Sequence, residues 1–174
     1  MNTLFNRDGA IVPPRPDADD SDIKLSIIKQ AVEDLFVEKH CEFEKSEKED
    51  LIQSLHRHWE ENCDEYELAK NFESDNWLVN YDFVSKLENV CGYVDSALKA
   101  TIDEWANSYD IIPPFEIGTK LEEGVIAGIS EYDPATYRVL VYGQKEDSTM
   151  RRLIKFEDAK AKVESTNGMS TCQK

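Results

Sequence analysis

All three histidines of the chain and two of its four cysteines fall within 24 residues: His40, Cys41, His56, His58 and Cys63. Imidazole nitrogen and thiolate sulfur are the usual ligands of a structural zinc ion. The spacing nevertheless closes no four-ligand pattern. There is no Cys-x-x-Cys pair, and His56 and His58, two residues apart, point to different faces of one helix. Only His56 or His58 with Cys63, joined by His40 or Cys41, could converge across a helix hairpin, so no metal is expected. Cys41 with His58 would supply a thiol nucleophile and a base, but nothing in the sequence orients the pair. Gly-x-Ser-x-Gly, a glycine-rich phosphate loop, His-Glu-x-x-His and a deaminase signature are all missing from the sequence. With no constellation of residues in named roles, neither enzymatic activity nor a cofactor is expected.

Charge offers a different kind of chemistry. Lys and Arg number 20 and Asp and Glu 36, a net charge of -16. The excess is uneven: residues 1–110 hold 26 acids and 11 bases, a net of −15, and residues 111–174 hold 10 acids and 9 bases, a net of −1. Glu42, Glu44, Glu47, Glu49, Asp50, Glu60, Glu61, Asp64, Glu65 and Glu67 crowd into 26 residues. Such a surface repels duplex nucleic acid and anionic membranes and attracts basic protein surfaces. Carboxylates at helical spacing would present charge rows that compete for a nucleic-acid-binding groove. The opposite sign gathers near the C-terminus, where Arg138, Lys145, Arg151, Arg152 and Lys155 form a basic strip with Tyr137 and Tyr142 as stacking platforms. Strand alternation sends Arg151 and Arg152 to opposite faces, which weakens that strip as a nucleic-acid site.

The elements that must position these groups are legible in the hydrophobic pattern. Val12-Pro-Pro-Arg-Pro16 excludes helix, so residues 1–20 read as an extended Pro- and Asp-rich arm with a minimal proline docking motif. Leu25, Ile28, Val32, Leu35 and Phe36 predict a helix over 21–39. Ser46 with Glu49 predicts a capping box opening a second helix that carries Leu51, Ile52, Leu55 and Trp59. A third, over 64–72, carries Tyr66, Leu68, Ala69 and Phe72. Val84, Leu87, Cys91, Val94, Leu98, Thr101 and Trp105 alternate spacings of three and four along a helix over about 80–109, with Cys91 as a small core residue. Gly92 would cost such a helix roughly 1 kcal/mol relative to Ala, which implies a close packing contact or a bend. Pro113 and Pro114 end the helical region, and the period changes to two. Strands follow at 115–121, 125–130, 137–142 and 151–156, then a helical turn at 157–163 and a mobile polar tail from Glu164.

Phe115–Leu121, Gly124–Ile129, Tyr137–Val141 and Arg152–Phe156 together resemble a Src-homology-type or KOW/Tudor-like small barrel, in which a Gly-Thr-x-hydrophobic step opens the first strand and a tight glycine turn precedes the next. The resemblance covers about fifty residues, and it implies a module that binds a peptide, a protein surface or nucleic acid. The fold class expected is α+β, an N-terminal acidic helical bundle over 21–110 followed by a small antiparallel β-barrel over 111–163, with 164–174 as tail. The chain has no hydrophobic leader, no stretch long enough to span a membrane, and cysteines that read as reduced thiols, so a cytoplasmic location is expected. The function expected is that of a non-catalytic acidic binding protein, regulating or inhibiting a basic or nucleic-acid-handling protein partner. Phage and mobile-element inhibitors that mimic nucleic acid share this size and charge. Direct nucleic-acid binding is disfavoured. The alternatives are a nucleic-acid adaptor using the barrel, or an assembly protein that oligomerises through the 84–105 helix.

Overall fold

The computed structural model describes residues 2–38, 41–145 and 149–163, and the tail expected from Glu164 lies outside them. The chain is α+β. It divides into two compact units, one formed by Pro14–Ser108 and the other by the described parts of Met1–Pro13 and Tyr109–Lys174. No helix among the described residues is long and apolar enough to cross a membrane.

The first unit holds α1 (Ser21–Val37), a 3-10 turn at Lys45–Glu47, α2 (Lys48–His58), α3 (Glu65–Ser74) and α4 (Tyr81–Tyr109), the last helix running one residue past the unit's boundary. Asp20 caps α1, its carboxylate accepting from the amides of Asp22 and Ile23. The expected Ser46–Glu49 capping box is displaced: Glu44 and Glu47 form the reciprocal pair instead, around the 3-10 turn that precedes α2. Ile27, Ile28, Ala31, Val32 and Leu35 of α1 join Leu51, Ile52 and Leu55 of α2, Leu68, Ala69 and Phe72 of α3, and Leu87, Val90, Val94 and Leu98 of α4 in one hydrophobic core. Leu87, Cys91, Val94 and Leu98 of the three-and-four seam thus lie in the chain's own interior, while Val84 and Thr101 are half-buried. The expected helical bundle does not form. Close backbone approaches join α1 to α2 and α2 to α3, while α4 makes none as extensive with another helix, so the four do not run side by side as in a bundle. Gly92 makes no close packing contact, because a Cβ there would meet nothing within 4 Å.

Among the described residues the second unit carries three antiparallel strands in sequence order: β1 (Gly124–Ile129), β2 (Thr136–Val141) and β3 (Arg152–Lys155). The sheet is not closed, so the expected barrel is an open sheet. The missing strand is Phe115–Leu121. Its backbone turns at Gly118 (φ 92°) and makes only isolated bridges, Lys120 to Val125 and Leu121 to Ala161. At Phe115 a side chain replaces the ladder: the Tyr137 hydroxyl accepts from its amide at 2.7 Å and donates to its carbonyl at 2.9 Å. The expected helical turn at 157–163 reduces to one hydrogen-bonded turn at 156–158. Residues 2–13 are bonded into this unit. Ile112 N–H donates to the Phe5 carbonyl, and the Asn2 side-chain amide donates to the Ala159 carbonyl at 2.6 Å.

Candidate functional site

The ten crowded carboxylates do not form one row. Glu44 and Glu47 cap the 3-10 turn, Asp64 caps α3 by accepting from Tyr66 and Glu67 amides at 3.0 Å, and Glu67 pairs with Lys70 at 2.6 Å. Glu61 and Glu65 lie close enough to Asp95 of α4 to raise its carboxyl above the usual range, an effect second to that of burial. Glu42, Glu49, Asp50 and Glu60 are exposed. Of these ten, Glu42, Glu47 and Asp50 come together around the connector between α3 and α4.

That connector is built by two helix caps. Asn76, in the left-handed region at φ 69°, ends α3, while the amides of Asn76 and Trp77 bond back to the carbonyls of Glu73 and Phe72. This is a Schellman motif, and the apolar contact that accompanies it is made by the rings of Trp77 and Phe72, 5.6 Å apart. Three residues on, the Asn80 side chain accepts from the Phe83 amide at 2.8 Å and caps α4. Between the caps Trp77 is locked inward among Phe43, Phe72 and Phe83, with its indole N–H donating to Ser54 at 3.0 Å. Leu78, the next residue, is consequently turned to solvent, and it is 86% exposed; Tyr81 is 85% exposed.

Two cavities flank the connector. One of about 560 Å³ is lined by Glu42, Glu47, Asp82 and Lys86 and by Phe43, Trp77, Leu78 and Phe83. Lys86 already holds its ammonium 5.6 Å from the Phe43 ring centre and donates to the Glu42 carbonyl at 3.0 Å. The other cavity, of about 680 Å³, shares Glu47, Trp77 and Leu78 and adds Asp50, Arg57 and Asp75. Sequence reasoning missed Trp77, Leu78 and Asp82. An uncharged run from Asn76 to Tyr81 in so acidic a chain was the signal that pointed to them.

Groups with catalytic chemistry are placed in other roles. Ser54 donates to Asp75 at 2.9 Å, His58 meets the same carboxylate oxygen at 3.1 Å, and Arg57 pairs with the other oxygen. In a nucleophilic triad the base lies between hydroxyl and carboxylate. Here the carboxylate lies in the middle, so the histidine does not activate the serine. Burial pushes the Asp75 carboxyl up, but the Ser54 hydroxyl and the charges of Arg57 and His58 outweigh it and hold it below the usual carboxylate value. The four zinc-type residues that are described are likewise dispersed. His56 contacts Ser21, Cys41 donates to the Phe43 carbonyl at 3.7 Å, and His40 lies outside the described residues. Cys63 takes a hydrogen bond from Cys91, which lowers its thiol to about 7 against the opposing effects of burial and of Asp95 and Glu65. The same bond, with burial, pushes the Cys91 thiol up.

In the sheet unit, Arg138 and Lys155 share a face, since Arg138 pairs with Leu153 and Thr136 with Lys155, and Arg152 falls on the other. Arg151 and Lys145 stand outside the strands. Tyr137, expected as a stacking platform, is fully buried against Phe156 with its hydroxyl on Phe115. Tyr142 donates to the Leu121 carbonyl at 2.9 Å and carries the Lys162 ammonium 4.5 Å from its ring centre. One platform is therefore core and the other is tied into its own unit. Comparison with known proteins finds no family model that matches the chain, no curated protein similar in sequence and no solved structure similar in fold.

Proposed function

We propose that this chain is a non-catalytic acidic binding protein that regulates or inhibits a protein partner with a basic surface, occupying the place that nucleic acid takes on such a partner. The observation that carries this reading is the segregation of charge onto a folded unit: residues 14–108 hold 24 acids and 10 bases, a net of −14. Carboxylates fixed on helices and turns meet a complementary surface without first being ordered. A field of this strength speeds encounter with a basic partner and excludes polyanions. A second reading, a nucleic-acid adaptor, draws on Arg138 and Lys155 sharing one sheet face; burial of Tyr137 takes away one of its stacking platforms.

The test is a pull-down with the tagged chain from a lysate of the cells that express it, with and without nuclease, eluted by rising salt. The expected result is a discrete protein that survives nuclease and is released as salt rises, because screening weakens interactions between exposed charges. Recovery abolished by nuclease would transfer the reading to the sheet. Retention unchanged by salt would remove the acidic surface as the binding element.

A further inference from the structure

We propose that the trough flanking the α3–α4 connector docks a short basic segment of the protein partner. One lysine or arginine of that segment enters the aromatic-walled cavity and a neighbouring apolar side chain rests on Leu78. The proposal rests on the acidic-binder reading and assigns its contact site.

Exposed apolar side chains scattered singly need no explanation. Leu78 and Tyr81 are not scattered: Leu78 on the connector and Tyr81 at the first position of α4 stand three residues apart at 86% and 85% exposure, and Leu78 lines both flanking cavities. The carboxylates around them are Glu42, Glu47 and Asp82 on one side and Glu47 and Asp50 on the other. Against these stand Lys86 and Arg57, and Arg57 is committed to Asp75. The surface left over is apolar at its ridge and negative at its walls, complementary to a segment that alternates cationic and apolar residues.

Lys86 shows how such a cation is held. Its ammonium combines a ring face with an oxygen acceptor, Phe43 and the Glu42 carbonyl, the arrangement that favours cations over aromatic rings. With Phe43 already covered by Lys86, an incoming cation finds the half-buried ring of Trp77 together with the carboxylates of Glu42, Glu47 and Asp82. The Trp77 wall is preorganised by its ring cluster and by the bond to Ser54, so little ordering accompanies binding. A larger cavity of about 1160 Å³, lined by Asp34, Glu88 and Glu104 over Gly92, Ser96 and Ala100, has acidic walls but no exposed large apolar side chain. It supplies the control.

The full chain, labelled with nitrogen-15, is titrated with three fluorescein-tagged hexapeptides: alternating lysine–leucine, alternating lysine–serine and alternating glutamate–leucine. The lysine–leucine peptide is expected to bind most tightly and to shift the indole resonance of Trp77 while leaving those of Trp59 and Trp105 in place. Leu78→Ala is expected to weaken it about five-fold and Asp82→Asn about three-fold. Glu104→Gln, the same charge change at the control cavity, is expected to leave affinity within about two-fold. Leu78 and Asp82 are exposed, so both variants keep the fold. Binding with Trp77 silent, unchanged affinity in Leu78→Ala, or equal losses from Asp82→Asn and Glu104→Gln would each overturn the trough while leaving the acidic-binder reading in place. Failure of both lysine peptides to bind at low salt would overturn the two together.

Discussion

Asp75 accepts from Ser54, Arg57 and His58 of α2 while standing as the cap residue of α3. One carboxylate therefore joins two helices and, through Ser54, fixes the indole of Trp77. Its side chain is only 15% exposed, so the donors it satisfies have little water to replace it. A carboxyl held below its usual value of 3.8 stabilises the fold at every pH above that value, and the contribution disappears as pH falls through the lower value of the folded state. The urea midpoint of Asp75→Asn should accordingly lie below that of the wild type at pH 7, and the gap should close only below about pH 4. A gap of constant size down to pH 2 would refute the network. None of this was legible in the sequence, where His58 reads as one of several candidate ligands for a metal that is not expected and Asp75 as one acid among many. The four residues span 54–75, and only the turn that ends α3 brings them to one point.

At the scale of elements, α1 and α4 are legible because their apolar stripes run long enough to fix a period, and both begin within a residue or so of the expected place. The capping box was misplaced because Glu44–Glu47 and Ser46–Glu49 share a spacing, and only the 3-10 turn decides between them. The strand expected at 115–121 fails for a reason alternation does not encode, since a tyrosine hydroxyl from β2 supplies the backbone bonds of Phe115. Glycine divides along the same line. Gly124 looks like a turn residue but opens β1 with its α-carbon against the Leu140 carbonyl, where a Cβ would collide with backbone. Gly92 looks like a packing residue but faces open space. Gly92→Ala should stabilise the chain by about 0.5–1 kcal/mol through helix propensity and loss of unfolded-state freedom. Gly124→Ala should destabilise it by about 1–3 kcal/mol, as overpacking does. Chemical denaturation of the two variants beside the wild type checks both signs, and equal signs would contradict the assigned environments.

For the whole molecule the decisive fact is that one unit is continuous in sequence and the other is not. The hydrophobic core from Ala18 to Leu98 lies wholly within Pro14–Ser108. The sheet unit, by contrast, draws bonds from residues 2–13, including Asn2 to Ala159 and Phe5 to Ile112. A fragment of residues 14–108 should therefore fold alone, with helical circular dichroism and one cooperative transition, while residues 109–174 alone should not unfold cooperatively. The fragment also isolates the charge, since its net of −14 is both what the proposed basic partner would meet and what repels itself. Raised salt screens the two effects alike but with opposite consequences. Self-repulsion destabilises a compact state, so the fragment's urea midpoint should rise between about 0.05 and 0.3 M salt as the Debye length shortens. Over the same range its affinity for the alternating lysine–leucine peptide should fall. A fold that strengthens while binding weakens cannot lose its ligand by unfolding. Parallel loss of both would instead mean that salt acts on the fold, and the carboxylates would then have no direct part in recognition.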